Sequence, residues 1–205
     1  MNGAWSRHAG VRLFAGSLVA YALLALAAPR AARADGEHHR RLNVQWVNHF
    51  DLLPGDPSVT STSALSTSSG VGSGLTGLVI TSSTLGDTDS FNGNKVVQMA
   101  LELQQKTTIF GVHLCYELSD PGPNGSFIDQ IRLAQVQDPP STALVLLDDP
   151  TQQDASGPTC VDSALASPPI QSKNGSVLLS LRIQTGNTAD KIVVRALGLL
   201  VKPQD

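Results

Sequence analysis

The chain has 205 residues with 14 basic and 17 acidic side chains, a formal net charge of −3 and only 4% aromatic residues. Beyond residue 34 the basic residues are scattered singly except for Arg40-Arg41. A protein that neutralises phosphates needs a clustered Lys/Arg surface, so nucleic acid is excluded as a partner.

Arg7 and Arg12 precede an apolar stretch from Leu13 to Ala28, and Ala32-Arg33-Ala34 follows with small residues flanking one position. This order predicts a secretory signal peptide over residues 1–34, cleaved before Asp35, and a secreted or periplasmic product. The apolar stretch is shorter than the ~20 residues a membrane-crossing helix needs, and no other segment reaches that length, so no transmembrane segment is expected in the mature chain. Cleavage removes four arginines (Arg7, Arg12, Arg30, Arg33) and no acid, leaving ten basic and 17 acidic residues. The remainder is long enough to bury roughly 70% of its unfolded surface in one domain.

Residues 35–57 form an N-terminal segment with one strand, in which Leu42, Val44 and Trp46 alternate with Asn43 and Gln45 and are expected to face inward. LPGDP ends it. Residues 58–74, rich in Ser, Thr and Gly, read as a flexible connector. Residues 75–205 carry the core, onto which 42–50 packs. Within it Leu75–Ser82 is a short apolar run and DTDSFNGN a turn, after which Val97, Met99, Leu101 and Leu103 alternate with polar residues. In TTIFGVHLCYEL, 107–118, Phe110, Val112, Leu114, Tyr116 and Leu118 share one face and His113, Cys115 and Glu117 the other, with Gly111 marking a bulge that can shift this parity.

SDPGPNGS is a loop. FIDQIRLAQVQ suits a short helix or a strand, and the β-rich context selects the strand. A further strand spans 142–147, a long polar loop leads to Cys160, an Asn-Gly turn precedes the alternating 177–184, and a nearly continuous apolar strand covers 192–201. Eight or nine short strands with regular turn signals and almost no helix predict an all-β fold: a single antiparallel β-sandwich of Greek-key or jelly-roll type.

In an oxidising compartment Cys115 and Cys160 are expected to pair. A nucleophilic thiolate at Cys115 would need a positioned base, an orienting third group and an unpaired sulfur, so His113 reads as a bystander. Gly72 to Gly77 matches G-x-G-x-x-G without the strand-to-helix context a phosphate loop requires. Asp87, Asp89, Asn92 and Asn94 concentrate oxygen ligands in one turn, where calcium is the cation such a turn suits, although Phe91 breaks the EF-hand spacing; no other cofactor is expected. Asp148, Asp149 and Asp154 form a second acidic cluster. No G-x-S-x-G and no zinc spacing occurs, and Glu102 and Glu117 read as outward partners on amphipathic strands. Asn124 and Asn174 begin N-glycosylation sequons in predicted turns. A sugar site needs an exposed ring, and with Trp46, Phe110 and Tyr116 turned inward no platform is left. The expected function is therefore secreted, non-enzymatic binding of a surface, glycan or protein ligand. The alternatives are a hydrolase with an acidic or calcium-assisted site, and a structural subunit that donates strand 42–50 to a neighbour.

Overall fold

Apolar side chains at every second position, separated by clusters of Gly, Pro, Asn and Asp, fold into strands because one pleated face is buried and the other meets solvent. The computed structural model describes residues 42–64, 77–89, 92–104, 106–136 and 143–202. Contacts divide the chain into Met1–His39 and Arg40–Asp205, and every element below belongs to the second unit. The predicted signal peptide, residues 35–41 and most of the predicted connector lie outside the described residues.

The strands are β1 (Asn43–Val47), β2 (Leu53–Pro54), β3 (Val59–Ala64), β4 (Gly77–Ser82), β5 (Val96–Leu101), β6 (Thr108–Leu118), β7 (Phe127–Val136), β8 (Ala143–Asp149), β9 (Thr159–Asp162), β10 (Ile170–Gln171), β11 (Ser176–Gln184) and β12 (Ile192–Val201). Helix among the described residues is confined to two 3-10 turns, His49–Asp51 and Ser172–Asn174. The ambiguous segment after residue 126 is strand β7. The first part of the predicted connector is strand: Val59 is buried and Thr60 to Ala64 pair with Thr81 to Gly77, as β-branched residues on a sheet edge allow.

One sheet runs β10–β6–β12–β4–β3, with β1 alongside β12 and β9 alongside β6; the other runs β2–β5–β11–β7–β8. All pairings are antiparallel. The order β4–β12–β6–β9 against β5–β11–β7–β8 is a jelly roll, in which long connections carry the chain back and forth between layers. Between the layers sit Leu78, Ile80, Val112, Leu114, Tyr116, Leu197 and Leu199 from one sheet and Val97, Ile131, Leu133, Val177, Leu179 and Leu181 from the other. Each such aliphatic side chain contributes about 1.5–3 kcal/mol by leaving water.

Two irregularities in β6–β12 pairing shape the outer face. Gly111 pairs with Leu200 while Ile109 pairs with Val201, so Phe110 is the extra residue beside the glycine. The parity shift anticipated at Gly111 is present, and Phe110 is half-buried where alternation alone expects full burial. On β12, Arg195 is the extra residue between Val194 and Ala196. Among the described residues no helix is long and apolar enough to cross a membrane.

Candidate functional site

His113 and Cys115 stand two positions apart on β6 and share its outer face. Register then aligns a row across four strands. Trp46 of β1 lies opposite Gly198 of β12, Gly198 opposite His113, and His113 opposite Asp162 of β9. Two residue pairs further along β6 and β9, Cys115 lies opposite Cys160, and the two are joined as the predicted disulfide.

The row is held by direct contacts. His113 Nδ1 lies 2.6 Å from Asp162 Oδ1. A carboxylate only accepts, so Nδ1 carries the hydrogen and Nε2 is left facing Cys115 Sγ at 3.6 Å. The Trp46 indole meets the imidazole edge to face, with ring centroids 5.5 Å apart and planes at 78°, a favoured aromatic geometry. Gly198 makes room for it: a Cβ there would stand 2.4 Å from Val44 Cγ1 and 3.3 Å from Trp46 Cε3. The outcome is a tryptophan 60% exposed on a sheet surface. A cleft of about 240 Å³ opens beside it, lined by Gln45, Trp46, Asn48, Asp51, Ala100 and Glu102.

The inward orientation expected of Trp46 is thus corrected. Val47 is the β1 residue that packs against the core, and because side chains alternate, Val44 and Trp46 lie on the opposite face. Tyr116 is buried as expected; burial raises its phenol pKa, and a backbone hydrogen bond involving Ala155 partly offsets this. Glu117 keeps the outer face expected of it but is not exposed there. It is buried, and Arg195 Nε donates to its Oε2 at 3.1 Å with Nη2 on the same oxygen. The extra residue in β12 is what brings the guanidinium over this carboxylate.

The acidic turn is engaged by the chain itself. Asp87 pairs with Arg182, Asp89 Oδ1 accepts the Gly93 N–H at 2.6 Å, Asn92 adopts a left-handed backbone at φ 62°, and Asn94 bridges to Thr88. Ser90 and Phe91 lie outside the described residues. Beside the turn, Lys95 is fully buried and its Nζ donates to the carbonyls of Thr84 at 2.6 Å, Leu85 at 2.9 Å and Gly86 at 3.0 Å. Burial lowers its pKa, opposed by the charges of Asp56 and Asp87. A fixed ammonium therefore occupies the centre of the carbonyls next to the turn.

The second acidic cluster does not converge. Asp148 accepts from Arg132 Nε at 3.2 Å and Nη2 at 3.3 Å. Buried Asp149 accepts the Thr151 N–H at 3.0 Å and the Ala164 N–H at 2.7 Å, while Asp154 is exposed. No pair of these carboxylates stands free to act as acid and base, which disfavours the hydrolase reading. Among the described residues one grouping has the spacing of metal ligands, the His113, Cys115 and Cys160 donor atoms within 4.8 Å of one another. Its sulfurs are joined, whereas a metal takes thiolates. Asn124 is exposed in its turn, and Asn174 ends the second 3-10 turn.

Sequence reasoning missed Trp46 and Asp162 as site residues. Gly198 held a usable signal, since an isolated glycine inside a strand marks close approach by another group. Asp162 lies 49 positions from His113, and only the β6–β9 register brings them together.

No protein-family model matches the chain, and no curated protein matches it. Several solved structures resemble it. The CBM22-1 xylan-binding domain from Paenibacillus barcinonensis Xyn10C is 8% identical, with 81% of this chain and 99% of that domain covered and a TM-score of 0.49. The CBM22-1–GH10 modules of Clostridium thermocellum endo-1,4-beta-D-xylanase 10B, complexed with xylohexaose, are 10% identical, with 80% and 29% covered and a TM-score of 0.48. A carbohydrate-binding module, CBM36, in complex with calcium and xylotriose is 10% identical, with 75% and 97% covered and a TM-score of 0.40. Likeness at these identities concerns shape alone.

Proposed function

We propose that the chain is a non-enzymatic binding module acting outside the cell, and that it takes the sugar rings of a glycan on the Trp46 surface. A β-sandwich hosts many functions, so the fold itself selects no ligand. The carrying observation is the exposed indole, propped by Gly198 and His113. An aromatic face is electron-rich and receives the C–H side of a pyranose, which also buries apolar area. Hydroxyl groups need short polar partners, and both flanks provide them: His113 and Asp162 on one side, Gln45, Asn48, Asp51 and Glu102 around the cleft on the other. The surface carries no lysine or arginine among these residues, which favours a neutral sugar over an anionic one.

The test is affinity electrophoresis or calorimetry against a panel of soluble polysaccharides. At least one neutral polysaccharide is expected to retard the protein, and Trp46→Ala is expected to weaken that binding roughly tenfold or more, as loss of an aromatic anchor does, with the thermal melt retained. Equal binding by W46A, or no binding by the intact protein across the panel, refutes the reading. Trp5 is the other tryptophan in the sequence, so in a chain starting after residue 34 the emission reports Trp46 alone.

A further inference from the structure

The Cys115–Cys160 bridge sits in surroundings that a purely structural disulfide does not require. Its two residues differ in exposure: Cys115 is 9% exposed on the interior strand β6, whereas Cys160 is exposed on β9, beyond which no further strand lies among the described residues. They differ also in neighbours. Cys115 Sγ faces His113 Nε2, and His113 Nδ1 is fixed by Asp162. That is a base and an orienting carboxylate arranged around one sulfur, the constellation that activates thiols in nucleophilic sites. The other groups near the imidazole are the neutral Trp46 ring and, further along the face, the Glu117–Arg195 pair, whose charges are matched.

We infer that the Cys115–Cys160 bridge is an exchangeable disulfide, opened by an external thiol at Sγ of the exposed residue Cys160, with Cys115 leaving as a thiolate beside His113. A new S–S bond forms between the incoming sulfur and Cys160 Sγ as the Cys115–Cys160 bond breaks, and its electron pair passes to Cys115 Sγ. The proton of the incoming thiol ends on His113 Nε2, so the product is a mixed disulfide on Cys160 beside a thiolate–imidazolium pair steadied by Asp162. The step is an isoelectronic exchange, and a second thiol, or Cys115 itself, reverses or completes it. The class of partner is any small or protein-borne thiol able to reach β9, and His113 acts on a reacting atom while Asp162 is a positioning residue.

Glutathione is the probe. The intact oxidised protein is incubated with it, quenched in acid, alkylated and mapped by peptide mass spectrometry. The expected product carries glutathione on Cys160 and the alkyl group on Cys115. His113→Gln and Asp162→Asn are each expected to slow adduct formation about tenfold or more while keeping the circular dichroism spectrum and melt. In the fully reduced protein at about pH 6, Cys115 is expected to alkylate faster than Cys160, with H113Q removing the difference. Glutathione found on Cys115, exchange that requires denaturant, H113Q exchanging at the parent rate, or Cys160 alkylating first would each overturn the inference.

Discussion

At Gly198 the absence of a side chain decides what the surface of β12 can carry. A methyl group there would overlap Val44 and press on the Trp46 ring. Gly198→Ala is therefore expected to lower stability by about 1–3 kcal/mol, as overpacking does, and to weaken polysaccharide binding by displacing the indole; urea melts and affinity electrophoresis check both. Lys95 is the second decisive residue. Its ammonium donates to three successive carbonyls, of which Thr84 also accepts from Ser82 Oγ and Gly86 from the Thr185 N–H, so Lys95→Met removes the Leu85 carbonyl's donor and one donor from each of the others, and is expected to cost roughly 1–3 kcal/mol in urea melts. The same ammonium supplies the positive charge beside the Asp87 and Asp89 turn, and the parent protein is accordingly expected to melt at the same temperature with calcium as with chelator. A rise in melting temperature on adding calcium would support the calcium expectation for Asp87, Asp89, Asn92 and Asn94. None of this was legible from composition, because an Asx-rich turn looks the same whether a metal or a lysine stands beside it.

Among the elements, β6 and β9 show how far a strand pattern can be read. Alternation predicted which face of β6 carries His113 and Cys115 and where parity could shift, because both follow from local chemistry. The expected disulfide brought Cys160 to that face, but the register that sets Asp162 against His113 lay beyond prediction, since β9 is four residues in a long polar loop and its pairing is a tertiary fact. The bridge closes a sequence separation of 45 residues. Replacing both cysteines by serine is expected to cost about 4 kcal/mol by the chain-entropy relation, read from denaturant melts in which midpoint and m-value are both fitted. β8 ends on Asp149, whose burial alone would raise its pKa; hydrogen bonds from Thr151 and Ala164 outweigh this and hold it below the ordinary carboxyl value. A lowered folded pKa gives stability that is complete above the unfolded value, near 4, and lost as pH falls through the folded value. Urea melts between about pH 6 and pH 2 should therefore show stability falling in acid, with a shallower fall in Asp149→Asn.

For the molecule as a whole, the all-β class and layered architecture followed from strand count and turn spacing, and the disulfide from two cysteines in an expected oxidising setting. The winding order required long-range pairings that no periodicity encodes: β4 with β12, β12 with β6, β5 with β11. The segment weighed as a strand donated to a neighbour is taken up by the chain's own β12. That placement puts the exposed Trp46 indole at the start of the described fold, on a strand pairing with the last. The jelly-roll strands begin only at β4, while buried Leu52 and Val59 tie the stretch after β1 into the core, so the aromatic surface is carried by a strand added to the edge of the jelly roll. A chain beginning after Val47 is expected to lack the indole and, on the proposed reading, to migrate unretarded through polysaccharide gels.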